Sequence, residues 1–349
     1  MDFVKTMREK AASMRKRLVL AEGTEPRTIQ AARILIDEKL AGSVTLVGNE
    51  ADVRSAAARE GVSLDGVAIV DPESSPKLDA YSRAYYAMKH EKDEAKLKAG
   101  KPVPKPATPQ SARAEIVEPL HWGGMMVHLG DADAMIAGAE NTTGAMIKAG
   151  LDTVGAASKT ASSCFVIQTR DPAWGVDGAL IFSDCAVIPD PTDEQLADIA
   201  VSAAQSCREF LGVEPVVALL SFSTKGSADA KFDDVGKVQR AVEILASRKP
   251  DFLFDGELQA DAALVPSVTD KKAPGSPVKG TVNTLVFPNL AAGNTGYKLV
   301  QRLGKAEAFG PFLQGFRKPI SDLSRGASVE DIVVTAAVTL SRARTEEQV

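Results

Sequence analysis

Cysteine and histidine are scarce in this chain, with three of each among 349 residues. Cys164, Cys185 and Cys207 are too few and too far apart for a disulfide framework or a zinc knuckle. They read as small buried hydrophobes of a protein kept in a reducing, cytoplasmic setting. His90, His121 and His128 have no nucleophile motif beside them, which argues against a Ser/His/Asp triad. Basic residues are not in excess: 41 Lys and Arg face 46 Asp and Glu, a net charge of −5. Neither nucleic acid nor a membrane surface is therefore expected as the main partner. No apolar run reaches the roughly 18–20 residues that cross a bilayer. The start, Met1-Asp2-Phe3-Val4-Lys5, lacks the apolar block of a signal peptide. The P-loop spacing and the G-x-G-x-x-G fingerprint are missing as well.

What remains is an ordinary globular composition, 44% hydrophobic and 25% charged, long enough for one or two domains. Strand and helix signals alternate. Arg17 to Ala21 reads as a buried strand, and a helix follows to about Glu38 with Thr24 as its cap and Pro26 in its first turn. Gly42 closes that helix, and Ser43 to Val47 is the next strand. This βαβ unit implies a parallel sheet, so the fold class is α/β. Ala134–Gly138, Gly178–Phe182, Val216–Leu220 and Thr284–Phe287 read as further core strands. Each runs into polar or Gly-rich residues, where α/β folds place their sites. Asp193 to about Leu211 reads as an amphipathic helix. Ile332 to about Ser341 carries apolar residues on more than one face and should be well buried. Lys101–Pro109 and Thr269–Lys279 read as loops.

Four constellations could carry chemistry. Ser324-Arg325-Gly326 precedes a helix start at Ser328-Val329-Glu330-Asp331. A helix N-terminus attracts anions, and an Arg there adds a fork that fits phosphate. The plainer reading is a capping box, Ser328 with Asp331. Phe287 to Gly296 reads as a strand end and a Gly/Asn turn leading into a helix. That helix carries Lys298 and Arg302 four apart on one face, as an anion-facing pair or a solvated one. Asp255 to Asp261 is acidic, as a metal site or a polar loop. Ser221 to Ser227 follows a strand end, and its Ser223 and Lys225 suit phosphate or pantetheine contacts.

Five blocks, taken in order, resemble the phosphate acetyltransferase (phosphotransacetylase) family in its short single-module form. They are Gly130–Asp133 with Ala137–Ala139, Phe182–Val187, Leu220–Ala228, Asp255–Gln259 with Asp261–Ala263, and Phe287–Leu290 with Gly293–Lys298 and the Ser324-Arg325-Gly326 turn. The likeness runs from about Leu18 to the C-terminus. It implies reversible acetyl transfer between acetyl phosphate and coenzyme A. The substrates would be small molecules, with no bound cofactor, no metal and no covalent acyl-enzyme. It also implies a homodimer of two α/β domains with mainly parallel sheets, like those of isocitrate and isopropylmalate dehydrogenases. The domains would be 1–159 with 311–349, and 160–310, with the site in the cleft between them. Among the residues, the resemblance makes Asp331 the general base for the thiol, Arg325 the phosphate ligand, and Ser324 a hydrogen-bond partner of the reacting group. Arg302 would support substrate binding, and Asn294 lies in the same matched block. Lys89 and Lys148 stand where the family usually has Arg, at positions tied to coenzyme A or phosphate. They keep the charge and lose the bidentate fork.

Three rivals compete with this reading. A phosphate butyryltransferase would run the same chemistry on a longer acyl chain. A metal- and NAD-dependent hydroxy-acid dehydrogenase on a related fold would lean on the Asp255–Asp261 run. A non-catalytic acyl-CoA-sensing module would expect a degraded Ser/Arg/Asp cluster, and here the cluster is intact.

Overall fold

The structure is a computed structural model and describes residues 2–343. The chain divides into two compact units. One comprises Val4–Gly155 and the segment from Phe316 onward; the other comprises Ala156–Gly315 with the chain start up to Phe3.

The first unit is built on a five-stranded sheet. Its strands are β1 (Arg17–Leu20), β2 (Ser43–Val47), β3 (Val67–Val70), β4 (Ala134–Ala137) and β11 (Ile320–Asp322). Their order is β11-β4-β1-β2-β3, and every pairing is parallel. Parallel neighbours need helical crossovers, and these helices cover the apolar strand faces. The helix Val329–Ser341 follows the last strand, β11, and packs into the same core. Every residue from Ile332 to Ser341 is buried, so this helix is apolar all round, as its sequence suggests. Burying side chains such as Ile332, Val333 and Leu340 is worth about 1.5–3 kcal/mol each.

The second unit holds a six-stranded mixed sheet: β5 (Ser162–Gln168), β6 (Ala179–Ser183), β7 (Val216–Leu220), β8 (Leu253–Leu258), β9 (Thr284–Val286) and β10 (Glu307–Gln314). The order is β10-β5-β6-β9-β7-β8. The β10-β5 and β5-β6 pairs are antiparallel, and the others are parallel.

Several sequence expectations need correction. The cap of helix Pro26–Asp37 is Glu25, whose carboxylate accepts the Thr28 N–H; Thr24 is exposed. Asp255–Leu258 is not a polar loop but part of strand β8. The Gly293–Gly296 turn is absent, because Asn289 caps a continuous helix, Leu290–Leu303. The start of the expected loop at Thr269 belongs to a short helix, Pro266–Lys272. The Pro-rich segment from Lys101 is irregular as expected, and Pro109 opens the helix Pro109–Ile116. Among the described residues, no helix is long and apolar enough to cross a membrane.

Candidate active site

Three adjacent strands of the first unit, β1, β4 and β11, end at one edge of the sheet. Each hands over to a loop and then to a helix N-terminus. These are the starts of Pro26–Asp37, of Thr143–Thr153 under its Thr142 cap, and of Val329–Ser341 under its Ser328 cap. Carboxyl edges of parallel strands are where open α/β sheets place their sites.

A buried carboxylate organises the edge. Glu22, just after β1, accepts the N–H groups of Gly138 (3.0 Å), Ala139 (2.8 Å), Glu140 (3.1 Å) and Asn141 (2.9 Å). The Asn141 side-chain amide adds a fifth bond at 2.8 Å. The loop after β4 is thereby wrapped around one anion. Gly138 has to be glycine here. Its φ is +110°, and a Cβ would lie 2.4 Å from Asp322 Oδ1 and 2.6 Å from the Leu323 nitrogen.

Asp322, the last residue of β11, is also buried. Its Oδ2 accepts the Thr143 hydroxyl at 2.5 Å, and its Oδ1 has no partner among the described residues. Burial pushes its carboxyl up to about 6, and the charge of Glu22 adds to the push; the Thr143 bond opposes both.

Two residues further on lies the Ser324-Arg325-Gly326 turn, exposed throughout. The Ser324 hydroxyl oxygen accepts the Gly326 N–H at 3.2 Å. The capping box read from the sequence is present. Asp331 Oδ2 accepts the Ser328 N–H and the Ser328 hydroxyl, both at 2.8 Å, while the Asp331 N–H donates to Ser328 Oγ at 3.1 Å. One carboxylate oxygen is thus anchored. Asp331 Oδ1 and the Arg325 guanidinium make no hydrogen bond or ion pair among the described residues.

The remaining residues singled out in the sequence lie in three groups. Lys89 and Lys148 act on one cluster in the first unit. Lys89 Nζ is 2.5 Å from Glu115 Oε2, which also accepts the Tyr85 hydroxyl at 2.9 Å. Lys148 Nζ is 3.6 Å from Asp152 and is largely exposed. Burial raises the Asp152 carboxyl, but His121, Lys148, Lys92 and Lys89 together outweigh it and hold it below its ordinary range. Lys298 and Arg302 are both exposed on the helix Leu290–Leu303, with Lys298 Nζ 5.8 Å from the centre of the Tyr297 ring. Asn294 on the same helix donates to the Cys185 carbonyl at 3.1 Å.

The third group pairs a buried serine with an exposed lysine. Ser223 is fully buried and donates to Glu257 Oε1 at 2.9 Å. Lys225 Nζ pairs with Asp255 and donates to the Gly256 carbonyl at 2.7 Å. Both serve the loop after β7, and they engage two of the acids that suggested a metal site. The cysteines are buried too; burial pushes the Cys207 thiol up to about 11 and also raises Cys185.

Sequence reasoning missed Glu22, Glu25, Arg27 and Asp322. Their signal is position. Glu22 lies just after a core strand, Glu25 and Arg27 open the next helix, and Asp322 ends a strand.

An open guanidinium, a held hydroxyl and a half-anchored carboxylate at such an edge suit transfer of a group from an anionic donor. The chain is an acyltransferase with an α/β fold. It belongs to the phosphate acetyl/butaryl transferase family, which it matches over residues 2–340. It is 52% identical to the phosphate acetyltransferase of Treponema pallidum (strain Nichols), over 97% of this chain and 98% of that protein. A solved phosphotransacetylase from Streptococcus pyogenes superposes with a TM-score of 0.87 at 35% identity, covering 98% of both chains. A 4-hydroxythreonine-4-phosphate dehydrogenase from Burkholderia phymatum shares the fold alone, with a TM-score of 0.52 at 11% identity over 94% of this chain and 98% of that one.

Proposed function

We propose that the acetyl transfer of this chain runs at the segment 324–331, with Asp331 as general base, Arg325 on the phosphate and Ser324 on the reacting carbonyl. The reaction is acetyl phosphate plus coenzyme A to acetyl-CoA plus phosphate, in either direction. The observation that carries the assignment is the split use of Asp331. Oδ2 is fixed by Ser328, which sets the carboxylate's orientation, and Oδ1 is left to take a proton.

Moving a proton fully from an ordinary thiol (pKa about 8.5) to an ordinary aspartate (about 3.9) is uphill by roughly 6 kcal/mol. Proton removal therefore accompanies attack of sulfur on the acetyl carbon, with cations stabilising the growing thiolate. The phosphate leaves as the C–O bond breaks, and the Arg325 fork neutralises the charge it gathers. Ser324 hydrogen-bonds the tetrahedral oxygen. No acyl-enzyme forms. Lys89 and Lys148 supply positive potential for phosphate groups, as do Lys298 and Arg302, with Asn294 beside them. Ser223 and Lys225 contribute by shaping the loop after β7.

The fuller proposal is a cytoplasmic homodimer of acetate metabolism, with coenzyme A as substrate and no resident cofactor or metal. The family resemblance supports it. The test is coenzyme-A-dependent phosphate release from acetyl phosphate, with and without EDTA and with butyryl phosphate as competitor. Release that survives EDTA and prefers acetyl phosphate is expected. Loss with EDTA, or a butyryl preference, overturns the assignment. Light scattering on the eluted protein checks the dimer.

A further inference from the structure

Arg27, the second residue of helix Pro26–Asp37, belongs to none of the motifs above. Its Nε donates to Glu25 Oε1 at 2.6 Å, and Glu25 is itself buried and fixed by the Thr28 N–H at 2.9 Å. The guanidinium is therefore aimed before it meets anything else. Nη2 reaches the Ala139 carbonyl at 3.2 Å. Nη1, which carries two hydrogens, donates to the carbonyls of Arg325 (2.8 Å) and Ala327 (2.7 Å).

Those two carbonyls matter because of what lies across their peptide bonds. Neither bond is cis. In a trans peptide the C=O of one residue and the N–H of the next are fixed in one plane and point in opposite directions. The N–H opposite the Arg325 carbonyl belongs to Gly326, and it holds the Ser324 hydroxyl oxygen. The N–H opposite the Ala327 carbonyl belongs to Ser328, and it holds Asp331 Oδ2. One nitrogen of Arg27 thus sets the tilt of both planes, and through them the two groups assigned to chemistry.

We infer that Arg27 is the positioning residue for Ser324 and Asp331, acting through the 325–326 and 327–328 peptide planes. The inference rests on the reading that those two residues carry the reaction. A purely structural tie would be satisfied by the Glu25 and Ala139 bonds. The two further bonds fall on the planes that orient Ser324 and Asp331.

The test is a double-mutant cycle in the full chain, with kcat and both KM values measured for Arg27→Ala, Asp331→Asn and the pair. Arg27→Ala should lower kcat on the order of 10- to 100-fold while leaving each KM within about two-fold. In the Asp331→Asn background it should cost several-fold less than in the native chain, because the part of its effect that passes through Asp331 is already lost and only the part through Ser324 remains. Guanidinium ion, below concentrations that unfold the protein, should restore part of the Arg27→Ala rate, and ammonium should not. An Arg27→Ala enzyme with full kcat beside an inactive Asp331→Asn overturns the inference alone, as does an equal loss in both backgrounds. A fully active Asp331→Asn overturns the underlying reading instead, and the inference with it. If Arg27→Ala does not fold, Arg27→Lys is put through the same cycle. It keeps the charge but lacks the planar fork that meets Glu25 from Nε and the two carbonyls from Nη1, so the same loss is expected.

Discussion

Asp331→Asn separates the cap that this side chain forms from the base that it is proposed to be. An asparagine oxygen can still accept the Ser328 N–H and hydroxyl, so the cap survives. Stability should stay within a few tenths of a kcal/mol. The amide cannot take a proton, so kcat should fall by about 10²- to 10⁴-fold, the usual worth of a positioned general base. Acetyl phosphate KM should barely change, because Arg325 is untouched. Asp331→Ala provides the contrast. It loses the base and also the reciprocal cap, which costs about 1 kcal/mol, or about 2–4 °C in melting temperature for a unit of this size. The assay is thioester formation from acetyl phosphate and coenzyme A, followed by ultraviolet absorbance and paired with thermal melts of the same preparations. A full-rate Asp331→Asn enzyme would refute the reasoning and leave the carboxylate as a cap only. A destabilised Asn variant would show that the box depends on charge.

Two further outcomes follow from the same edge of the sheet. Arg325→Ala should cost about 10- to 100-fold in kcat/KM for acetyl phosphate, the worth of a charge-assisted hydrogen bond, with the coenzyme A KM nearly unchanged. Arg325→Lys should fall between the two because an ammonium lacks the fork, and equal damage to both substrates would count against a phosphate role. Asp322 titrates at about 6 in the folded chain, against 3.8 for the free side chain, mainly because it is buried. The folded state then holds the proton more tightly than the unfolded state. This contribution is full below about pH 4, is lost as pH rises through about 6, and amounts to about 3 kcal/mol. Asp322→Asn should be relatively more stable than the native chain above pH 6 and lose that advantage toward pH 4, as read by denaturant unfolding. A difference that stays constant with pH would mean the carboxyl is not protonated on folding.

Six strands were legible because they are short apolar runs bounded by turns. Ser43–Val47 and Val216–Leu220 fall where the sequence puts them. Five strands were missed, among them Ser162–Gln168, which opens on two serines, and Glu307–Gln314, which is broken by Gly310-Pro311. Val67–Val70 lies at a sheet edge, only half buried, and Ile320–Asp322 has three residues behind a proline; neither offers enough periodicity. Leu253–Leu258 was hidden by its charges, since Asp255 and Glu257 look like loop residues until Lys225 and Ser223 are seen to neutralise and bond them. The start of the helix Leu290–Leu303 was hidden by small residues. Gly293 reads as a turn, yet a Cβ there would meet the Asp184 carbonyl at 2.3 Å, so the glycine marks close packing. Ser324, Arg325 and Asp331 could be grouped as candidates because they fall in one short segment of the chain. Glu22, Arg27 and Asp322 were not, because their partners lie more than 100 residues away in sequence.

The reciprocal bonds between Ser328 and Asp331 have a consequence for how this segment can drift over generations. A glutamate would close the box at least as well and would be welcomed by selection for thermal robustness alone. It would also carry the oxygen proposed to take the proton one methylene further out. Robustness and turnover therefore pull on the same codon in different directions, and the shorter acid favours turnover.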